Sequence, residues 1–459
     1  MIRRTADGAS DRCRSAIDSA RPILMLATLM KPSPDSFSRR QFLGTSTALA
    51  GASLVGFPQV LRAAPAAGGG TLKVALVGCG GRGTGAAKQA LNADSNVELV
   101  AFADVVAEQI EKAQEQLNKN VPGKVKEGAK KFLGLDAIDQ VLNENVDVVI
   151  LTTPPGFRPE HFEKCVQAGK HTFCEKPCAT DAPGVRRFME AGRKAKEKGL
   201  GMQSGFCWRA NVAERATFEQ IHQGAIGTVR AVHGSYLAGT PWVKPRQEGW
   251  TDLEWQLRNW MYFTWLGGDQ IVEQCVHTVD KMSWAFQDVP PISARGMGGR
   301  QQRVEEQYGH VWDHCSVVYE YPEGARGFIE CRQQAGTFNE TADYIMGTKG
   351  ECRINGFGNV HAITGEKPWK YSGPKNDMYQ TEHDEFFQSL REGKPLNFAD
   401  KIAHSTMVAI MGRMAAYTGK VITWEEALNS KESLAPEKLE WNGKYEVPPV
   451  AIPGRTKFL

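Results

Sequence analysis

The chain lacks the features that would place it among metal-cluster proteins, nucleic-acid binders, membrane spans or repeat arrays. Its ten cysteines form no Cys-x-x-Cys pair, and the nearest two are Cys174 and Cys178. They read as buried thiols rather than as ligands or a disulfide framework. The formal net charge is only +3, and no Lys/Arg-rich run occurs beyond the N-terminal region, so nothing supports a nucleic-acid partner. Nowhere past residue 68 does an apolar run approach the ~18 residues of a membrane span. The 23 prolines and 47 glycines are scattered, which argues against a long linker or a solenoid. His310, Asp313 and His314 tempt a metal reading, but their spacing matches no usual ligand set, and no metal is expected there.

What remains is a soluble composition, 41% hydrophobic and 23% charged, in a chain of 459 residues. That length exceeds one core of ordinary size, so two domains are expected. The first 66 residues read as an address. Ser38-Arg39-Arg40-Gln41-Phe42-Leu43 precedes a weakly apolar stretch, and Ala64-Pro65-Ala66 offers a cleavage site. The pattern resembles a twin-arginine export signal and implies a periplasmic or otherwise exported protein. Met30-Lys31-Pro32 is a natural start, which would make residues 1–29 an over-extended reading frame.

From Thr71 the pattern alternates strand and helix. Leu72 to Val77 is a short apolar strand that runs into Gly78-Cys79-Gly80-Gly81-Arg82-Gly83; a helix over 84–92 and a second strand ending in Asp104 follow. Gly78 permits the tight turn, Gly80 lets backbone approach a pyrophosphate, and Gly83 lets helix and strand pack closely. The helix start offers free N–H groups to phosphate, and Asp104 can accept from the adenosine ribose hydroxyls. That acid favours NAD, with NADP left open. Further strands are read at 146–151, 171–174 and 201–206, with helices at 160–169 and from a cap at Asp181 to about Lys198. The ends of these strands place Thr153, Glu175 and Lys176 beside the cofactor.

Four segments together resemble the Gfo/Idh/MocA oxidoreductases: the glycine loop with Asp104, Thr153-Pro154 to His161, Ala168-Gly169-Lys170-His171 to Glu175-Lys176-Pro177, and Ile226-Gly227 after Arg209. Within that family the chain is similar to exported members abundant in planctomycete-type bacteria. The resemblance implies an α/β chain: a doubly wound Rossmann domain over 71–205, then an α+β substrate domain over 206–425 with a large open, mainly antiparallel sheet. Residues 426–459 form a C-terminal extension. Paired strand patterns at 310–321 and 325–333, broken by Pro322-Glu323-Gly324, support the second domain independently. A homo-oligomer, dimer or tetramer, is implied as well.

The resemblance also assigns roles. Lys176 matches the lysine that lies beside the nicotinamide and bonds the reacting hydroxyl, and Gly78, Gly80, Gly81, Arg82, Gly83, Asp104, Thr153, Pro154, His161 and Glu175 fall at cofactor positions. His277 matches the presumed general base, with Glu273 four residues earlier where the family usually carries Asp. Those two share one face if the segment is helical. Trp242, Arg258, Asn259 and Trp260, with Arg209, mix aromatic faces with planar hydrogen-bonding groups, as a sugar cleft would. The expected activity is NAD-dependent oxidation or reduction of a secondary hydroxyl on a sugar or cyclitol, with a tightly held, self-recycled cofactor as an extension of that reading. A glycosidase using trapped NAD and a non-catalytic sugar-binding module are the alternatives.

Overall fold

The computed structural model describes residues 69–459, so the signal region read over 1–66 lies outside the described residues. The first domain alternates strictly: β1 (Leu72–Val77), α1 (Gly81–Ala93), β2 (Val97–Asp104), α2 (Ala107–Asn120), β3 (Val125–Leu133), α3 (Ala137–Leu142), β4 (Val148–Leu151), α4 (Arg158–Gln167), β5 (His171–Cys174), α5 (Ala182–Glu197) and β6 (Met202–Ser204). All six strands run parallel, in the order β3-β2-β1-β4-β5-β6. β1 and β4 lie side by side where the winding reverses, so their carboxyl ends open a crevice. Fully buried apolar runs such as Val148–Leu151 build this sheet because helices cover both faces. β3 differs. Its sequence is VKEGAKKFL, with only Ala129 buried, as suits an edge strand.

The second domain follows with α6 (Val212–His222), β7 (Val229–Ala238), α7 (Asp252–Arg258), α8 (Thr264–Gly267), α9 (Gln270–Glu273), α10 (Val276–Ala285), β8 (Ser293–Gly299), β9 (His314–Glu320) and β10 (Arg326–Gln333). It continues through β11 (Glu340–Gly347), β12 (Gly350–Asn355), β13 (Val360–Gly365), β14 (Trp369–Lys370), α11 (Met378–Arg391), α12 (Ala399–Thr418), β15 (Ile422–Thr423) and α13 (Trp424–Asn429). Nine strands form one sheet, β14-β13-β12-β11-β7-β10-β9-β8-β15. Among them only β7 and β10 pair in parallel. The hairpin at Pro322–Gly324 joins β9 to β10 with Glu320 opposite Arg326, as its turn residues predict. The strand itself starts at His314, four residues later than the alternation at His310 suggests.

Two late helices return to the first domain. α11 lies along α1, and its Phe386, Phe387 and Leu390 share a core with Val74, Leu99 and Ile150. α12, buried along most of its length, packs between α5 and the open sheet. The two domains are therefore laced together rather than strung in series. The extension past α13 also packs: Leu434, Leu439, Trp441, Tyr445 and Val447 cover a core of Trp255, Tyr262, Phe263 and Leu266.

The turn from β1 into α1 and the helix start behind it leave no room for a side chain at two positions, Gly78 and Gly83. Gly78 holds φ +95°, and a Cβ there would lie 2.7 Å from the Thr152 backbone. A Cβ on Gly83 would sit 1.9 Å from the Gly78 carbonyl oxygen. G83A is thus expected to lower stability by about 1–3 kcal/mol, the usual cost of overpacking, measured by urea denaturation against the parent chain. An unchanged midpoint would mean that helix and turn can part without cost.

Candidate active site and dinucleotide cavity

A cavity of about 530 Å³ lies in the crevice at the β1/β4 reversal. That volume is within the range of small-molecule sites. Its floor is the glycine turn, its far end reaches Asp104, and Thr153, Pro154 and His161 border it from the ends of β4 and α4. α1 begins at Gly81, three residues earlier than the sequence pattern suggests, so Gly81, Arg82 and Gly83 supply its first turn. Gly80 caps the helix without any side-chain bond, and a Cβ on Gly80 or Gly81 would meet nothing within 4 Å. An uncapped helix start facing open space is an anion site. Asp104 bounds the cavity with one carboxylate oxygen accepting from Cys79 N at 2.6 Å and the other from Val106 N at 2.9 Å. Burial raises its pKa, partly opposed by those two amides and by Arg258. The residues present therefore fit a dinucleotide: amides for the pyrophosphate at one end, an oriented carboxylate for a ribose at the other.

His161 stacks on Phe157 and lies 3.4 Å from the Thr153 hydroxyl through Nδ1. Burial pushes its pKa down to about 4, which keeps it a neutral wall of the cavity. Glu175 stands elsewhere. It is buried outside the cavity and accepts from Arg82 Nε at 2.5 Å. Burial alone would raise its carboxyl, but Arg82, Arg158 and Lys176 outweigh that and hold it below the usual range. Glu175 thus anchors the glycine-loop arginine rather than facing the cavity. Arg82 lines the cavity but aims its guanidinium at Glu175 and, at 3.6 Å, at Glu382 of α11.

The second cluster joins the two domains. Lys176 Nζ donates to Glu273 Oε1 at 2.7 Å and to the Glu273 carbonyl at 2.5 Å. Glu273 and His277 do not share one continuous helix, contrary to the simple helical expectation: α9 ends at Glu273, and α10 begins at Val276. Upstream, Gly268 (φ +80°) and Asp269 (φ +74°) form the turn that leads from α8 into α9 and presents Glu273. Asp269 holds it by accepting from Gln270 N, Trp312 N and the Tyr417 hydroxyl. His277 is half-buried, packs edge-on to Phe206, and has no partner for Nδ1 among the described residues.

Two expected substrate contacts are turned away from the site. Arg209 binds Asp280 through Nε at 2.9 Å and Asp288 through Nη2 at 2.7 Å, which ties its fork into the second domain. Asn259 is wholly buried and clamps the Lys244 backbone, donating to its carbonyl at 2.9 Å and accepting from its amide at 2.8 Å. Trp242, Arg258 and Trp260 do face a cavity, but it is the dinucleotide cavity near Asp104. Trp255 and Trp265 are core residues, and Trp265 Nε1 donates to Gln256. Asp313 gathers the amides of Gln301, Gln302 and Arg303 and accepts from His314. No group of three or more possible ligands is assembled for a metal ion among the described residues.

Arg158 escaped the sequence reading. Its buried guanidinium donates to the carbonyls of Thr153 (2.8 Å), Glu175 (3.0 Å) and Pro177 (2.7 Å), which locks the ends of β4 and β5 together. Only its place just after Pro154-Pro155 could have signalled this. Tyr236 of β7 was missed too; burial and then the charge of Glu273 raise its pKa to about 12.

Comparison with known proteins accords with this geometry. Residues 72–206 match the model described as the oxidoreductase family with NAD-binding Rossmann fold, and residues 215–353 match the GFO/IDH/MocA C-terminal domain. Inositol 2-dehydrogenase 3 of Saccharopolyspora erythraea is 27% identical over 285 residues, 62% of this chain and 73% of the relative. Inositol 2-dehydrogenase of Salmonella typhimurium is 30% identical over 220 residues, 48% of this chain, which spans only 55% of that relative. The crystal structure of aldose-aldose oxidoreductase from Caulobacter crescentus, complexed with glycerol, superposes with a TM-score of 0.62 at 18% identity, covering 77% of this chain and 99% of that one.

The His277 imidazole is held well below its ordinary 6.5 by burial and then by the positive charges of Lys176, Lys281 and Arg82. A base with a lowered pKa stays unprotonated where an ordinary histidine would be charged. The acid limb of kcat/KM should therefore fall below pH 6.5. A limb at or above 6.5 would assign it to another group.

Proposed function

The chain belongs to the Gfo/Idh/MocA oxidoreductase family, a dehydrogenase acting on CH–OH groups with NAD(P), and we propose that its substrate is a secondary alcohol of a sugar or cyclitol. The observation that carries the reading is the ion pair of Lys176, just past β5, with Glu273 of the second domain, near enough to His277 for the lysine's charge to act on its imidazole. When bound, the dinucleotide supplies the hydride acceptor. Lys176 offers ammonium protons to the substrate oxygen, and Glu273 fixes the direction in which they point. His277, kept neutral, takes the hydroxyl proton during oxidation and returns it during reduction. The names of the relatives support polyol and sugar substrates, and the carboxylate at Asp104 supports NAD over a 2′-phosphorylated cofactor.

The reading extends to location and assembly. The Ser38–Leu43 motif supports export by the twin-arginine route, and the wide open sheet supports a homo-oligomer. Outside the cytoplasm free NAD is scarce. A retained cofactor would suit a cycle in which one sugar gives up two electrons and two protons and a carbonyl-bearing sugar takes them up.

The test is to purify the mature protein, denature it, and identify any released nicotinamide by absorbance and mass, then screen sugars and cyclitols for turnover. K176M should lower kcat by about 10²–10⁴-fold, the usual worth of a proton-handling group, and still bind NAD. A parent protein that carries no dinucleotide and binds none when it is added would overturn the reading. So would K176M turnover equal to the parent's.

A further inference from the structure

The segment between β7 and α9 was expected to form a sugar cleft, yet four of its residues line the cavity that Asp104 borders. Trp242, Lys244, Arg258 and Trp260 line the same cavity as Gly80 and Asp104. They come from the second domain, whereas the cavity floor comes from the first. We propose that this segment is a clasp that closes over the adenosine half of the dinucleotide and slows its release. The inference rests on the cofactor reading given above and adds to it the residues that would retain the ligand.

Three observations carry it. First, the clasp is latched across the domain boundary. Arg258 Nη1 donates to Glu108 of α2 at 2.8 Å, while its Nε holds Glu254 at 2.9 Å and its guanidinium lies 4.6 Å from the Trp250 ring. Arg258 also stands near enough to Asp104 to affect its carboxylate. Second, the segment is pinned in shape. Asn259 clamps Lys244, and the Tyr262 hydroxyl bridges the carbonyls of Pro241 and Trp242 at 2.9 and 3.0 Å. Two indoles and two cations are thereby held at the cavity wall, and this chemistry suits a purine face and a phosphate-bearing ribose. Third, the segment is braced from two parts of the chain: Val105 and Leu135 of the first domain, and Leu434, Trp441 and Tyr445 of the C-terminal extension, pack against its core. Tyr445 N donates to Asp252, and the Tyr445 carbonyl accepts from Gln256.

A ligand beneath such a cover can leave only when the latch opens, so the effect should fall on the dissociation rate. The experiment loads the full mature protein with NADH and follows its fluorescence during a chase with excess NAD. The parent, R258A and E108Q are compared, with a thermal unfolding midpoint for each. E108Q leaves the cavity wall intact and cuts only the latch at an exposed position, so it separates release from misfolding. E108Q is expected to speed release by about two- to five-fold, the worth of an exposed ion pair, and R258A by at least as much, while both keep the parent's midpoint within a few degrees. Release from the parent as fast as from both variants would overturn the clasp. It would also fall if R258A raised the KM for the sugar and left the release rate unchanged, because the segment would then serve the substrate. Failure of all three proteins to bind NADH would instead sink the cofactor reading itself.

Discussion

The arrangement depends on one contact between domains, the ion pair of Lys176 with Glu273. Neither residue is useful alone: the lysine stands two residues past the end of β5 in the parallel sheet, and the glutamate ends a one-turn helix of the other domain. Both side chains are only 12% exposed. Bringing two charges out of water is costly unless they are paired and further bonded. The second bond from Lys176, to the Glu273 carbonyl, meets part of that need and fixes the ammonium relative to the α9 backbone. Much of the surrounding structure keeps the two ends in register. Arg158 ties the strand ends that present Lys176, and Asp269 holds the strained turn that presents Glu273.

A second tier of buried charge supports the first. Arg82 reaches from α1 to Glu175 and Glu382, and so links the glycine turn, the residue before Lys176, and the late helix α11. Burial and the neighbouring Glu175 push the Glu382 carboxyl well above its usual range, which lets two acids share one guanidinium. Behind His277, Lys281 pairs with Asp343 in the same way, and Glu214 is raised to about 8 by burial and by Asp343. Burial raises the Asp343 carboxyl as well, and Lys281 opposes both shifts; pairing of this kind is what makes buried charge tolerable.

The parts of the fold that were legible in the sequence are those where local chemistry and global packing agree. The turn from Gly78 to Gly83, the buried strands at 148–151 and 171–174, the Asp181 cap and the β9–β10 hairpin all carry their own signals. β3 was not legible, because an edge strand of lysines and glutamates with one buried alanine has almost no apolar alternation to show. The return of α11 onto α1 is hidden for another reason. Its apolar face marks it as a packed helix but does not say against what.

The site was legible by residue type and illegible by destination. Lys176, His277 and Asp104 stand where strand ends and helix starts must place them. Arg209, Asn259 and Trp260 were grouped because such residues favour sugars, yet a mixture of tryptophan, arginine and asparagine suits an adenosine cover or an ion-paired core equally well. The separation comes from partners. Two aspartates satisfy the Arg209 fork, the Lys244 backbone consumes the Asn259 amide, and Trp260 remains at a cavity wall. The packed C-terminal extension adds a physical reason for that outcome. A chain that packs Leu434, Trp441 and Tyr445 against the core of the tryptophan segment braces it, as the proposed clasp requires.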